Sequence, residues 1–241
     1  MSLQKKSQPY YYDLHIHTAL SPCANDDMTP NDIIGMSILN GLDFIAITDH
    51  NTIANAYSVI KAAEAASELH GKNLIVLPGI EVTTAEEVHV LCLFDNIDNA
   101  QFFESEMDYF YSTLDNREEI FGAQLLFDEN DKNTGSLKRM LIAPSLISFD
   151  HLHQITQKYN GAFIPAHIDR DSFSVTSNLG FLPPHLDINT IELSSEDESS
   201  QYSDKKIVYS SDAHQLWAIN EKKHFLLLPE LSAKAAIKAL Q

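Results

Sequence analysis

Two histidines near the N-terminus, His15 and His17, are separated by one residue and follow an aromatic, strand-like run. Because side chains in an extended segment alternate between its two faces, both imidazoles point to the same side. Two such imidazoles at a strand end can bind one metal ion from one direction. A His-x-His pair is weak evidence by itself, since partly buried polar pairs also occur on the rims of barrels.

Further metal-binding side chains occur where other apolar, strand-like runs end. In α/β barrels the active site lies at the C-terminal ends of the strands, so residues that are distant in sequence but follow different strands should converge there. His89 is an exception, because it lies inside a predicted strand, and it joins the cluster only if that strand is shifted along the barrel axis. The side chains at run ends are Asp49 with His50, Glu81, His167 with Asp169, and Asp212 with His214.

The elements that must position these residues alternate between strands and helices. A proline-initiated helix starts after Thr29, an alanine-rich helix covers about 52–70, and further helices are predicted at about 97–114, 149–159 and 232–240. Predicted strands between them include 42–48, 74–77, 88–94, 162–164, 190–193, 206–209 and 224–228. This alternation predicts βα units and a mostly parallel sheet. About seven units in a chain of 241 residues favour an α/β barrel over a doubly wound sheet.

Residues 121–144 break this alternation. Two apolar runs there flank a polar stretch at 128–135, which predicts a hairpin-like insertion with a long turn. We therefore expect a single domain over residues 1–241 that carries this insertion. The polar turn either covers the pocket or contacts a neighbouring subunit.

Composition narrows the class of protein. A formal net charge of −18 argues against a surface that neutralises many nucleic-acid phosphates, although an anionic substrate stays compatible because bound cations invert the local field. No apolar run approaches the length of a membrane span, and the N-terminal Met-Ser-Leu-Gln-Lys-Lys lacks the apolar region of a secretory signal. The two cysteines, Cys23 and Cys92, are too few for a disulfide framework. We expect a cytoplasmic protein without membrane contact.

The ligand types indicate catalytic rather than structural metal. Structural zinc sites are closed, four-ligand and rich in cysteine, whereas this set contains more than four His, Asp and Glu side chains. Such a set predicts two or three divalent ions that share a bridging carboxylate. Nitrogen and carboxylate ligands suit Zn, Mn or Fe, and the residue types do not choose among these metals.

The motifs, in their order, resemble those of the polymerase and histidinol phosphatase (PHP) family. No segment resembles a polymerase, so the likeness is to a free-standing member, and it spans nearly the whole chain. It implies a distorted (β/α)7 TIM-like barrel with a trinuclear metal site that hydrolyses phosphoesters. The segments that carry it are Asp13-Leu14-His15-Ile16-His17-Thr18, Thr48-Asp49-His50, Gly79-Ile80-Glu81, His89, Pro165-Ala166-His167 and Ser211-Asp212-Ala213-His214.

The resemblance also implies which residue holds which ion. His15, His17, Glu81 and Asp212 would hold the first ion. Glu81 would bridge to a second ion that His89 and His167 also bind, and His50 and His214 would hold a third. One further ligand should come from the loop after His17, where family members often have His or Asp. The candidates here are Cys23, Asp26 and Asp27, and Asp49 either ligates or orients His50.

The implied chemistry is phosphoester hydrolysis by metal-activated hydroxide, with Glu81, Asp212 and Arg170 as catalytic residues. Two close divalent ions lower the pKa of a bridging water and clamp the oxygens of an in-line displacement. Arg170 either contacts phosphate bidentately or pairs with Asp169 or Asp171. Asn51 is a substrate contact or a turn residue, and Ser172 is a substrate contact or part of an ordinary polar loop.

Three functions fit these residues. The first is a phosphoesterase acting on a small phosphomonoester of a sugar, nucleotide or histidinol type. The second is a nuclease or nucleotide phosphodiesterase, which the acidic composition disfavours for long nucleic acids but not for a short end. The third is a non-catalytic metal-binding regulatory module, which the complete ligand set disfavours. The residues leave the oligomeric state open.

Overall fold

The structure is a computed structural model that describes residues 6–197 and 199–241. The first five residues of the polar N-terminal stretch, and Glu198 in the acidic loop, lie outside the described residues. None of the helices in the described part of the chain combines the length and apolar character needed to cross a bilayer.

Ten strands and seven α-helices follow one another along the described chain. The strands are β1 (Gln8–Ile16), β2 (Phe44–Ile47), β3 (Ile75–Thr83), β4 (His89–Leu93), β5 (Leu125–Phe127), β6 (Asn133–Ser136), β7 (Ala162–Pro165), β8 (Thr190–Glu192), β9 (Lys206–Val208) and β10 (Phe225–Leu228). The helices are α1 (Pro30–Leu39), α2 (Ala56–His70), α3 (Ile97–Met107), α4 (Glu118–Phe121), α5 (Phe149–Lys158), α6 (Val175–Leu179) and α7 (Ala233–Leu240).

Seven of these strands form a distorted barrel. A curled sheet of six strands has the order β10-β1-β2-β3-β4-β7, and β8 lies beside β7 and pairs with β9. The chain that leaves β9 runs next to β1: His17 donates its N–H to the Ala213 carbonyl, and Ala213 donates to the His15 carbonyl. The ring β1-β2-β3-β4-β7-β8-β9 therefore closes, which is the distorted (β/α)7 arrangement that the motifs predict.

The sheet is mixed, so the expectation of a mostly parallel sheet is wrong. β1, β2 and β3 are parallel, but β4 is antiparallel to both β3 and β7, and β10 is antiparallel to β1. The physical reason is the short connection between β3 and β4. It closes with a bond from the Thr84 N–H to the Val88 carbonyl, and such a connection can join only antiparallel strands.

Some helix boundaries also differ from expectation. Thr29 precedes α1 in an extended conformation, but its hydroxyl makes no capping bond. The second helix begins at Ala56 rather than Thr52, because the Thr52 hydroxyl and the Ile53 N–H bind the Glu104 carboxylate instead. Helix α3 ends at Met107, earlier than predicted. Ser232 caps α7 as expected, since its hydroxyl accepts from the Ala235 N–H.

The insertion at 121–144 contains the hairpin β5–β6. It packs on the loop that follows β1: Leu125 donates its N–H to the Ala19 carbonyl, and the Asp131 carboxylate accepts from the Asn31 N–H. Gly122 lies so close that a Cβ on it would meet the Pro22 carbonyl oxygen. Its φ of 94° is also one that side-chain-bearing residues rarely adopt. The hairpin therefore supports the loop between β1 and α1 from outside.

Candidate metal centre

Glu81, near the end of β3, lies at the centre of the polar cluster. Its two carboxylate oxygens contact one ring nitrogen from each of five histidines, and the side chain is almost fully buried. The contacts are 2.8 Å to His89, 3.0 Å to His50, 3.3 Å to His15, 3.3 Å to His17 and 3.4 Å to His167. A single carboxylate shared among five imidazoles has the arrangement of a bridging ligand.

The mixed topology explains how His89 reaches this cluster from within a strand. Because β4 is antiparallel to β3, its first residue lies at the edge where β3 ends, and His89 pairs with Thr83 across that edge. His167 follows β7, which is antiparallel to β4 and so ends at the same edge. No shift of β4 along the barrel axis is needed.

Asp212, in the loop that follows β9, also contacts histidines of the cluster. Its Oδ1 lies 3.3 Å from the His15 Nε2 and 3.2 Å from the His17 Nε2, and 3.6 Å from the His214 Nδ1. The loop that carries it is held by the buried Asp13, whose carboxylate accepts from the Ser211 N–H at 3.0 Å. The backbone of Asp212 has a φ of 51°, a strained conformation of a kind that clusters at functional sites.

Several polar atoms of the cluster are of the types that bind metal ions, and they lack the hydrogen bonds that buried polar atoms normally make. Buried polar atoms are normally hydrogen-bonded, yet here several ring nitrogens and carboxylate oxygens have no hydrogen-bond partner. These atoms are His15 Nε2, His17 Nε2, His50 Nδ1, Glu81 Oε2 and Asp212 Oδ1. Because they converge and are of the types that divalent metals bind, the residues fit a metal centre.

Three overlapping groups of side chains offer ligand atoms that lie within 4.8 Å of one another. Glu81 belongs to two of the groups, and His17 and His50 each belong to two. The groups are His15, His17, Glu81 and Asp212; His50, Glu81 and His89; and His17, His50 and His214. His167 adds its Nε2, 3.4 Å from the Glu81 carboxylate.

In the metal-free protein, burial and the charges of neighbouring side chains determine which residues of the cluster carry protons. Burial by itself lowers the pKa of His17 and of His50, but the carboxylates beside them raise each to about 9. Burial and the charge of His17 lower the pKa of His214 to about 4. Burial raises the pKa of Glu81, but the surrounding histidines outweigh it and hold that pKa well below its usual range. His17 and His50 therefore carry protons at neutral pH.

Metal binding should accordingly release protons and strengthen with rising pH. A ligating imidazole must be neutral, so each proton displaced from His17 or His50 adds about tenfold in apparent affinity per pH unit until about pH 9. In the metal-free protein, the raised pKa values of His17 and His50 add to the free energy of unfolding. This contribution is full below about pH 6.5, the ordinary pKa of histidine, and it is lost as the pH rises through about 9. Zinc titration calorimetry in buffers of different ionisation enthalpy measures the protons released, and a pH-independent affinity would contradict this account.

Above the cluster is an open pocket of about 230 Å³. The residues lining it include Arg170, Ser172 and Phe173 at the rim, in addition to Cys23 and six members of the cluster. The Arg170 guanidinium donates to the Asp212 Oδ2 at 2.6 Å and to the Ser194 hydroxyl at 2.9 Å. Arg170 therefore pairs with Asp212, and not with Asp169 or Asp171.

The structure does not bring every predicted residue to the pocket. The Asn51 side chain is buried and fully used by the backbone, because it donates to the Leu141 and Ala143 carbonyls and accepts from the Thr83 N–H. Asn51 has a φ of 51° and is absent from the pocket lining, so this geometry favours the turn-residue alternative over a substrate contact. Asp26 and Asp27 are exposed and lie outside the pocket lining.

Asp49 does not face the ligand groups either. Its carboxylate accepts from the Thr18 N–H and hydroxyl and from the Ser21 hydroxyl, at 2.7–2.8 Å. The Ser21 hydroxyl in turn lies 3.0 Å from the His17 Nδ1 and accepts from the His50 N–H. Asp49 therefore reaches the His17 ring and the His50 backbone only through Ser21, which favours the orienting role over the ligating one.

Glu192 is a site residue that sequence reasoning missed. Its carboxylate lies 3.1 Å from the His15 Nδ1 and accepts from the His167 N–H at 3.0 Å. A carboxylate partner of this kind fixes the ring orientation and tautomer of a ligating histidine. The signal was a glutamate inside a buried, apolar strand, because buried charged residues are nearly always paired.

Replacing Glu192 with glutamine should lower metal affinity by about 10- to 100-fold, as loss of such partners usually does. Glutamine keeps the shape of the side chain, so we expect circular dichroism to show an unchanged fold. Zinc titration with a competing chelator measures the effect. Glu196→Gln is the control, because Glu196 is exposed and pairs with Lys223. Equal affinities in the two variants would argue against the orienting role.

A family model described as the PHP domain matches residues 13–173, well over half of the chain. No curated protein matches the chain.

Solved structures share the fold at low identity. The lesion-specific endonuclease PfuEndoQ from Pyrococcus furiosus superposes with a TM-score of 0.65 at 16% identity, over 97% of this chain and 56% of that one. Endonuclease Q in complex with a 27-mer duplex carrying an abasic lesion gives 0.60 at 16%, over 87% and 50%. This chain thus spans about half the length of these two endonucleases.

A protein from Bifidobacterium adolescentis described as a metal-dependent phosphoesterase is matched over nearly all of its length. It gives a TM-score of 0.58 at 17% identity, over 98% of this chain and 96% of that one. At these identities the likeness shows the fold, whereas the family model matches most of the sequence that supplies the cluster. The chain therefore belongs to the PHP domain family, the family of metal-dependent phosphoester hydrolases that its motifs resemble.

Proposed function

We propose that the protein hydrolyses a small phosphomonoester, of a sugar, nucleotide or histidinol type, with two or three divalent metal ions. The observation that carries this proposal is the cluster of buried histidine and carboxylate ligand atoms, several without a hydrogen bond, beneath a pocket with Arg170 at its rim. The cluster supplies metal ligands, and the arginine supplies a fixed positive charge for a phosphate.

The metal ligands would divide as the family motif assigns them. His15, His17, Glu81 and Asp212 would hold one ion, Glu81 with His89 and His167 a second, and His50 with His214 a third. Divalent ions held there activate a water nucleophile and neutralise the charge on the phosphoryl oxygens. The nitrogen-rich ligand set supports Zn, Mn or Fe over Mg, which prefers oxygen ligands.

The chain's own residues position the phosphate. Glu81 and Asp212 stay ionised at neutral pH, because the neighbouring histidines hold the pKa of each carboxyl well below its usual range despite burial. Arg170 is partly exposed and bonded to Asp212, so a phosphate in the pocket competes with Asp212 for its donors. Ser172 is exposed beside it and offers a hydroxyl.

The size and charge of the pocket support a small substrate. Among the described residues that line it, Arg170 alone carries a permanent positive charge, and the whole chain has a formal net charge of −18. A long nucleic acid requires many such cations along the surface that it contacts.

The two cysteines are unpaired, which supports the reducing conditions of a cytoplasmic protein.

A nuclease is the second candidate. The likeness to PfuEndoQ, with a TM-score of 0.65 over 97% of this chain, favours it. The same pocket would then hold a phosphodiester at a short or flipped-out nucleotide, since metal ions and Arg170 are the only cations that the described lining offers.

A panel of substrates separates the two candidates. Phosphate release from sugar phosphates, nucleoside monophosphates and histidinol phosphate, with Mn²⁺ or Zn²⁺ present, is the expected result. Phosphodiesters and short duplexes with an abasic site make up the other arm. If no monoester releases phosphate and the diesters are cleaved, the monoesterase proposal is overturned in favour of the nuclease.

Removing the guanidinium of Arg170 should weaken substrate capture. Hydrogen bonds to charged groups contribute about 1.5–3 kcal/mol, so Arg170→Ala should lower kcat/KM by about 10- to 100-fold. Arg170→Lys should recover part of this loss, because lysine keeps the charge but not the bidentate geometry. The control is Lys61→Ala, which removes an exposed cation paired with Glu64. Unchanged kinetics in Arg170→Ala would mean that this arginine only stabilises Asp212.

A further inference from the structure

Phe173 gives the pocket an apolar ring beside the metal centre. This ring stacks on the imidazole of His89, with 4.7 Å between the ring centroids and 26° between the ring planes. The rest of the ring is open, because the residue is 44% exposed. Of the described residues that line the pocket, Phe173 alone has a side chain without a polar, charged or thiol group. One apolar ring next to a predicted metal ligand therefore faces solvent in an otherwise polar pocket.

The backbone holds this ring at the pocket in a strained conformation. Phe173 has a φ of 54°, which is an outlier for a bulky residue. Its carbonyl accepts from the His89 N–H at 2.9 Å, so the loop that carries Phe173 is bonded to β4. Strained residues persist where the surrounding structure fixes them, and they cluster at functional sites. In the described part of the chain, the other pocket-lining residues with a positive φ are His167 and Asp212, and both belong to the centre.

The same loop carries the arginine that would bind the phosphate. Arg170 precedes Phe173 by three residues, and its carbonyl accepts from the buried Ser174 hydroxyl at 2.7 Å. The Asp171 carbonyl accepts from the Ser177 hydroxyl at 2.6 Å, which fixes the loop a second time. Three residues span at most about 11 Å, so the ring lies within reach of the group attached to a phosphate at Arg170. The loop therefore supplies one cation for the phosphate and one apolar ring for the alcohol.

We infer that Phe173 selects the alcohol part of the substrate, and that this alcohol carries a flat aromatic ring that packs on the open part of Phe173. Aromatic rings pair by offset stacking or edge-to-face contact, and either contact removes apolar surface from water. A sugar phosphate without such a ring offers less apolar surface, and its hydroxyl groups gain no strong hydrogen bond from a phenyl ring. The inference rests on the proposed phosphoesterase function and narrows its substrate to the nucleotide and histidinol types.

Two matched pairs of substrates test this selection. AMP and ribose-5-phosphate differ by the base, and histidinol phosphate and alaninol phosphate differ by the imidazole ring. In at least one pair, the ring-bearing member should have a kcat/KM about 5- to 100-fold higher in the wild type, the range that base–aromatic stacking gives. Phe173→Ala should reduce this ratio to about one, chiefly through KM, because a ring contact away from the reacting bond stabilises substrate and transition state equally. Phe173→Tyr should keep the ratio, since tyrosine keeps the ring.

Phe181→Ala is the control, because Phe181 is also exposed but lies outside the pocket lining. Equal values within both wild-type pairs would overturn the inference. An equal fall for both members of a pair in Phe173→Ala would overturn it too, because Phe173 would then only pack on His89. If none of the four compounds is hydrolysed, calorimetry measures their binding to the zinc-loaded wild type and Phe173→Ala. A binding preference that Phe173→Ala loses would then reject the phosphoesterase and keep the ring selection, whereas binding without preference would reject both.

Discussion

Replacing Glu81 with glutamine should remove both bound metal and hydrolysis. The neutral amide cannot serve the five imidazoles that the two Glu81 oxygens contact, and it cannot bridge two cations. Losing one electrostatic stabiliser of a transition state costs about 10²- to 10³-fold in kcat. Because metal is lost with it here, we expect a fall of at least about 10³-fold, measured by phosphate release and by metal content.

The same variant should also destabilise the metal-free protein. Removing one member of a buried charged pair costs about 3–5 kcal/mol, and the protonated His17 and His50 would lose their counter-charge. Denaturant unfolding near neutral pH measures this loss. The matched control is Glu104→Gln, which neutralises a largely buried carboxylate that binds Thr52 and Ile53 away from the centre. Retention of full metal content by Glu81→Gln would refute the bridging assignment.

Replacing Asp212 with asparagine should abolish turnover but preserve the fold. The carboxylate contacts His15 and His17 with one oxygen and Arg170 with the other, so the change removes a metal ligand and releases the arginine. We expect a fall in kcat of about 10²-fold or more. The thermal midpoint of the metal-free protein should change less than in Glu81→Gln, because Asp212 contacts fewer histidines.

Asp212→Asn also separates a catalyst from a regulatory metal-binding module. A module would keep its binding partner and show no turnover before or after the change, whereas a catalyst should have turnover to lose. Asp26→Asn is the control, since Asp26 is an exposed carboxylate of the neighbouring loop. Equal activity of wild type and Asp212→Asn would remove this residue from the catalytic set.

The parts of the centre that local pattern could predict are those carried by strand ends. His15 and His17 lie on one face because β1 is extended, and His50 and His167 follow strands whose apolar runs are plain in the sequence. The barrel was likewise predictable from the alternation of strands and helices. What pattern missed was direction: the short turn before His89 makes β4 antiparallel, and that reversal explains why His89 reaches the site from a strand's beginning.

Other parts depend on contacts between residues far apart in the chain. Glu192 meets His15 across 177 positions, and Arg170 pairs with Asp212 rather than with the acids beside it. Asp169 is unavailable to Arg170 because it accepts from the Ser194 and Ser195 N–H groups. Cys23, Asp26 and Asp27 are equal candidates by sequence, but only Cys23 lines the pocket, with its Sγ 3.1 Å from the His214 Nε2. Such choices follow from tertiary packing, which no local pattern encodes.

The most direct test of the central claim is hydrolysis of a phosphomonoester panel by one preparation, before chelation, after chelation and after metal is restored. The account predicts phosphate release that disappears with the chelator, returns with Zn²⁺ or Mn²⁺, and is absent from Glu81→Gln under all three conditions. Hydrolysis that survives complete removal of metal, or that Glu81→Gln retains, would contradict the claim that this cluster is a metal-dependent phosphoesterase centre.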